Sequence, residues 1–295
     1  MRRLTGTPAA VRCLAFSPDG RALASGGDER QTARLWDVVT GDPGGRVTTA
    51  AGWLSAVAFA PDGRTLATAG FSQWVQCWEV EGHAPTGRQW DLDASAEPVR
   101  AVAFQTPTKL VAGGDFQRLG RWELLTQRRT DVVVSYAWGA RSLALAPAAA
   151  RMAVGYSGGD ACVIDLMANR LIWSERFVAG PVRSVSLSAD GDKLALATGQ
   201  AVHLRTGLTS RVERRLTVPP GPITGLAFAP AGNLLVGSGR DGAVRLWDVG
   251  PEGLRERFCV SVSAGPLLTA AFSPDGLTVA AAGAGGEIWV LDVDE

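Results

Sequence analysis

Apolar and polar positions alternate in short runs along this chain, and the runs come in threes. The stretch from Ile223 to Asp248 shows it best. Ile223, Gly225 and Ala227 alternate with Thr224, Leu226 and Phe228, the two-residue period of a strand. Pro230-Ala231-Gly232 is a turn, and Leu234-Leu235-Val236 is a second strand. Arg240-Asp241-Gly242 is a hairpin turn, because Asp-Gly accepts the positive φ that such turns need. Ala243 to Trp247 is a third strand, and Trp247-Asp248 closes it. Three short antiparallel strands cannot bury both apolar faces alone, so the pattern predicts neighbours of the same kind.

The neighbours are in the sequence. The large apolar residue that ends the first strand recurs as Phe16, Phe59, Phe104, Leu145, Leu187, Phe228 and Phe272, at intervals of 41 to 45 residues. Phe16, Phe59, Leu187, Phe228 and Phe272 each precede, by four residues, the glycine of a PDG-type turn. Trp36-Asp37, Trp78-Glu79, Trp122-Glu123 and Trp247-Asp248 end the third strands of their units. On this period and these endings the chain resembles the WD-repeat (beta-transducin-like) propeller family over essentially its whole length. The resemblance implies an all-β fold: one domain, residues 1–295, a seven-bladed β-propeller of four-stranded antiparallel blades.

The segments between units then carry the outer strands. Arg2 to Phe16 (RRLTGTPAAVRCLAF) and Arg214 to Phe228 (RRLTVPPGPITGLAF) open alike and have equal length. In the second, RRLT is the outer strand of the preceding blade. In the first no unit precedes it, and the last unit ends three strands long at Trp289 to Asp294. Arg2 to Thr5 is therefore expected to complete the last blade, closing the ring and removing open edges. Units four and five are degenerate. Ile164-Asp165 stands at the Trp-Asp place in the one, and Leu204-Arg205 is the expected counterpart in the other.

Composition narrows the function. Net charge is +0, so no global field drives the chain to nucleic acid or membrane. Lysine is nearly absent, as in a GC-rich and so bacterial gene. The 4 cysteines, Cys13, Cys77, Cys162 and Cys259, lie in different units and form no C-x-x-C pair, which suits buried thiols in a reducing compartment. No apolar run reaches membrane-spanning length, and the expected location is the cytoplasm. The 2 histidines, His83 and His203, cannot build a three-histidine metal site. No G-x-S-x-G elbow or phosphate-loop lysine is present. No cofactor, metal or catalytic residue is implied.

Two groups of residues remain. The resemblance assigns Ser25, Asp28 and Trp36 in unit one, Thr68 and Trp78 in unit two, and Trp122, Asp241 and Trp247 to structural roles. It also implies that the start of the innermost strand and the second hairpin turn line the narrow rim around the central channel. The residue four before each marker is Arg12, Ser55, Arg100, Arg141, Arg183, Thr224 and Leu268, and Arg240 stands at the matching hairpin. Phosphate-binding members of the family use arginine at these two kinds of position. The guanidinium fork grips two oxygens of a phosphate or carboxylate at once. The bland alternative pairs these arginines with neighbours such as Asp28 or Asp115. Trp53, Phe71, Trp74 and Phe116, with Trp138 beside them, are expected to form an aromatic patch on the same rim, as binding hot spots do. The expected function is a non-catalytic, monomeric scaffold that binds a protein or peptide, acidic or phosphorylated, across the narrow rim. The alternatives are a propeller enzyme with its site in the channel, or a sensor module of a larger signalling protein.

Overall fold

Each apolar run becomes a strand, and each glycine-containing break becomes a turn. The computed structural model describes all residues except 30, 51, 95–97, 116–117, 136–138, 200, 208–211, 218–220 and 295, and only the backbone of 118, 133–135, 212–215 and 217. Its strands form seven antiparallel sheets of four; six are paired in chain order from an inner to an outer strand, and in the seventh the outer strand is the first of the chain. The inner strands are Val11–Phe16, Leu54–Phe59, Val99–Thr106, Ala140–Ala146, Val182–Leu187, Ile223–Phe228 and Leu267–Phe272. Each packs against the next, and the seventh returns to the first. The result is a seven-bladed propeller with a central channel.

In three blades the turn after the inner strand is held by a serine–aspartate pair. In Ser17-Pro18-Asp19-Gly20 the Asp19 carboxylate accepts the Ser17 hydroxyl at 2.5 Å and the Arg21 amide at 3.1 Å. The serine bond holds the Asp19 carboxyl below its usual range. Ser188–Asp190 and Ser273–Asp275 repeat the arrangement. Glycine follows because the chain there has φ of 73°, 68° and 75° at Gly20, Gly191 and Gly276.

The core lies between blades. Leu14, Leu23 and Trp36 of blade one pack with Ala280, Ala282, Ile288 and Val290 of blade seven. On its other face blade one gives Cys13, Ala24 and Leu35 to a cluster with Leu54, Val57 and Leu66 of blade two. Inner-strand side chains thus alternate between the two neighbouring blades, which is why a single blade cannot bury its own faces. Burial pushes the Cys13 and Cys77 thiols up to about 12, so both are inert apolar filler.

Ring closure follows the expected route. Arg2–Leu4 forms the outer strand of blade seven, with Arg2 opposite Val290, Arg3 opposite Trp289 and Leu4 opposite Ile288. Leu4 is 1% exposed within the blade seven–blade one cluster. Arg3 lies 3.1 Å from Glu287, and Arg2 donates to the Val38 carbonyl at 2.9 Å, tying this strand to both blades.

Blade five corrects one alignment. Leu194 pairs with Arg205, so Arg205 and Thr206, not Leu204 and Arg205, occupy the Trp-Asp places. The Arg205 guanidinium stands 4.9 Å over the Trp173 ring of blade four and 3.3 Å from Glu175. A stacked cation fills the space that tryptophan takes in other blades.

Candidate functional site

In every blade the ladder between the inner strand and the second strand slips by one residue at the same place. Arg12, Ser55, Arg100, Arg141, Arg183, Thr224 and Leu268 are the residues skipped. Each is the extra residue of a β-bulge, which frees its side chain from the pleat and re-aims it. The residue before each, from Val11 to Leu267, is committed to a core between blades. The seven skipped residues therefore project into the channel, where they line a cavity of ≈ 370 Å³ together with Trp53, Phe71 and Arg240. A second cavity of ≈ 240 Å³ is lined by the same ring and the inner strands of all seven blades.

The ring members behave differently. Ser55 donates to the Val99 carbonyl at 2.6 Å, and Thr224 to the Leu267 carbonyl at 2.8 Å, so both stitch their blade to the next. Arg12 grips the Asp28 carboxylate with two nitrogens, Nη2 to Oδ2 at 2.9 Å, and this bond pushes the guanidinium pKa up. Arg100 holds Asp115 at 2.7 Å and lies 4.5 Å over the Phe71 ring. Phe71 meets Trp53 edge to face, with centroids 5.4 Å apart. These two rings are 44% and 45% exposed, and Arg100 ties them to the cationic ring.

Arg141 and Arg183 have no hydrogen-bond or ion-pair partner among the described residues. Desolvation in the channel mouth pulls the Arg141 guanidinium down from its usual value, and the positive charges of Arg183, Arg100 and Arg12 pull it further, against Asp115. The Nε of Arg183 is buried without an acceptor. The Arg240 side chain is exposed at the hairpin and likewise unpartnered among the described residues.

The five arginines expected at the rim therefore share one cavity with Trp53 and Phe71. Two of them take the acidic neighbours that the bland alternative named. Trp74 does not join the patch. It opens the third strand Trp74–Glu81 opposite Asp93, two strands out from the channel, and does not line the cavity. Phe116 and Trp138 lie outside the described residues.

The structural group divides as well. Trp36 Nε1 donates to Ser25 at 2.9 Å, and Trp78 Nε1 to Thr68 at 3.0 Å. Trp247, in the blade nearest the consensus, has no acceptor for its buried Nε1. Gly237 stands at the matching place, and a Cβ there would meet the Trp247 ring at 2.7 Å. Trp122 is buried, with Arg129 5.3 Å over its ring. Asp241 pairs with Arg245, at 3.2 Å from Nη1, within its own hairpin. Asp28 serves Arg12 rather than a tryptophan network. Hydroxyls overlooked in the sequence also stitch blades. The Val185, Leu226 and Phe228 amides donate to Ser142, Ser184 and Ser186 of the preceding blade at 2.9 to 3.0 Å. A serine one or three residues before the marker is their only signature.

Among the described residues no cluster of three or more His, Cys, Asp or Glu could hold a metal ion. His83 sits on the blade-two outer hairpin 3.9 Å from Asp37, and His203 bonds Thr198 inside blade five at 2.9 Å. No helix among the described residues is long and apolar enough to cross a membrane.

The family model for the WD domain, G-beta repeat, matches residues 1–37, 44–79 and 211–248, each running from the outer strand of one blade through the three inner strands of the next, blades one, two and six. The chain is 26% identical over 166 residues to human WD repeat-containing protein 36, covering 54% of this chain and 18% of that protein. It is 28% identical over 108 residues to an uncharacterized WD repeat-containing protein of Synechocystis, covering 36% of this chain and 31% of that protein. The chain thus spans less than a third of either relative.

Proposed function

We propose that this chain, a seven-bladed propeller of the WD-repeat family, is a non-catalytic scaffold that binds an acidic or phosphorylated protein segment at the arginine-lined mouth of its channel. One observation carries this reading. Arg12, Arg100, Arg141, Arg183 and Arg240 surround a single ≈ 370 Å³ cavity beside the exposed Trp53–Phe71 pair. Several guanidinium groups at a concave, partly desolvated mouth focus positive potential on a chain of net charge +0. Adjoining aromatics supply apolar contact area at low entropic cost. WD-repeat propellers commonly bind proteins and are usually not enzymes, in keeping with a ring that presents cations and committed hydroxyls.

The test is fluorescence polarisation with three peptide pools, acidic, phosphorylated and neutral, on the wild type and on an Arg100→Ala, Arg141→Ala, Arg183→Ala triple variant. Acidic or phosphorylated peptides are expected to bind the wild type and to lose about tenfold or more in the variant. Equal binding of neutral peptides, or of all pools to the variant, would contradict the reading.

A further inference from the structure

The mouth is not a uniform ring of charge. On the side of blades one to three each arginine already has its carboxylate, Arg12 with Asp28 and Arg100 with Asp115. Blades four and five carry Arg141 and Arg183 with no ion-pair or hydrogen-bond partner among the described residues, Asp115 being held by Arg100 and acting on Arg141 only from a distance. Arg183 keeps a buried N–H without an acceptor. A buried donor without a partner is costly, and native structures rarely keep one unless something external satisfies it. Two unneutralised guanidinium groups on adjacent bulges call for a ligand with two negative charges and several acceptor oxygens. A phosphoryl group near neutral pH has both, whereas a single carboxylate has one charge and two oxygens.

We propose that Arg141 and Arg183 form a phosphoryl-dianion subsite for a phosphorylated residue of the partner segment, and that Arg12 and Arg100 instead act as positioning residues. Arg100 holds the Phe71 face, beside Trp53, for an apolar side chain of the same segment. This inference rests on the rim-binding reading and adds to it which arginines meet the anion. Asp115 follows as a restraint on the site: it neutralises Arg100 and also faces Arg141 electrostatically. Removing its charge should tighten phosphate binding.

The experiment titrates the full chain with inorganic phosphate, with a phosphoserine peptide carrying a neighbouring leucine, and with the same peptide bearing serine, following binding by calorimetry. Arg141→Gln and Arg183→Gln are each expected to weaken phosphate and phosphopeptide by about tenfold or more. Arg12→Gln should cost less than about threefold, and Asp115→Asn should tighten both ligands. Trp53→Ala should weaken the phosphopeptide and leave inorganic phosphate unchanged. If Arg183→Gln does not melt as a folded protein, Arg183→Lys replaces it. That variant keeps the charge, loses the fork, and should still bind phosphate more weakly than the wild type. Equal losses in Arg12→Gln and Arg183→Gln would overturn the division of the ring. Serine and phosphoserine peptides binding alike would overturn the subsite while leaving rim binding intact. No binding of any ligand would remove both.

Discussion

At the scale of single residues, what decides function at the mouth is whether an arginine has a partner, not whether it is present. Arg12 and Arg183 stand at equivalent bulges. One is locked to Asp28, and the other has a buried Nε with no acceptor. Counting back from the apolar markers finds both, because the bulge recurs at a fixed distance in each blade. The carboxylates can be counted too, since Asp28 and Asp115 follow Arg12 and Arg100 by 16 and 15 residues, but counting does not reveal which arginines of the ring go without one. The structural tryptophans behave alike. A Trp-Asp ending marks the place of the indole, but its hydrogen bond depends on a residue of the second strand. Serine and threonine supply the bond in blades one and two, and Gly237 removes it in blade six. Ser25→Ala should therefore leave the buried Trp36 Nε1 unsatisfied and cost about 1–3 kcal/mol. Urea unfolding would show this as a lower midpoint with an unchanged slope. An unchanged midpoint would mean that the indole finds another acceptor.

At the scale of elements, strand order and blade boundaries were legible because turns announce them. PDG-type turns fix where inner strands end, and the repeated RRLT segment exposed the strand that closes the ring. Blade five was misaligned by one residue for a physical reason. Without a tryptophan to anchor its third strand, register follows from the short turn between Thr198 and Ala201, which pair directly. Trp74 falls outside the cavity lining because Ser72 and Gln73 complete the hairpin before it, leaving it at the start of the third strand. The closing strand carries the firmest prediction at this scale. Deleting residues 1–6 removes buried Leu4 and reopens the edge of Ile288–Val290. Loss of the Leu4 burial alone is worth about 1.5–3 kcal/mol, or a fall in melting temperature of roughly 2–5 °C. Calorimetry showing the same melting temperature in the truncated chain would mean that Arg2–Leu4 does not hold the ring.

At the scale of the whole molecule, the ring turns seven local irregularities into one site. A β-bulge in a single blade would aim one side chain into solvent. Repeated seven times around a closed channel, it gathers side chains from inner strands more than 250 residues apart, Arg12 to Leu268, around one cavity. Net charge, which describes the whole surface, gives no hint of that concentration. The central claim is that this mouth binds an anionic ligand, and the most direct measurement is a thermal melt with and without a phosphoserine peptide at about 100-fold excess over its Kd. A ligand that binds only the folded state then stabilises by about 2.7 kcal/mol, a rise of roughly 4 °C for a domain of this length. The wild type should show that rise, and the Arg100→Ala, Arg141→Ala, Arg183→Ala variant should not. No rise in the wild type, or the same rise in both, would contradict the claim.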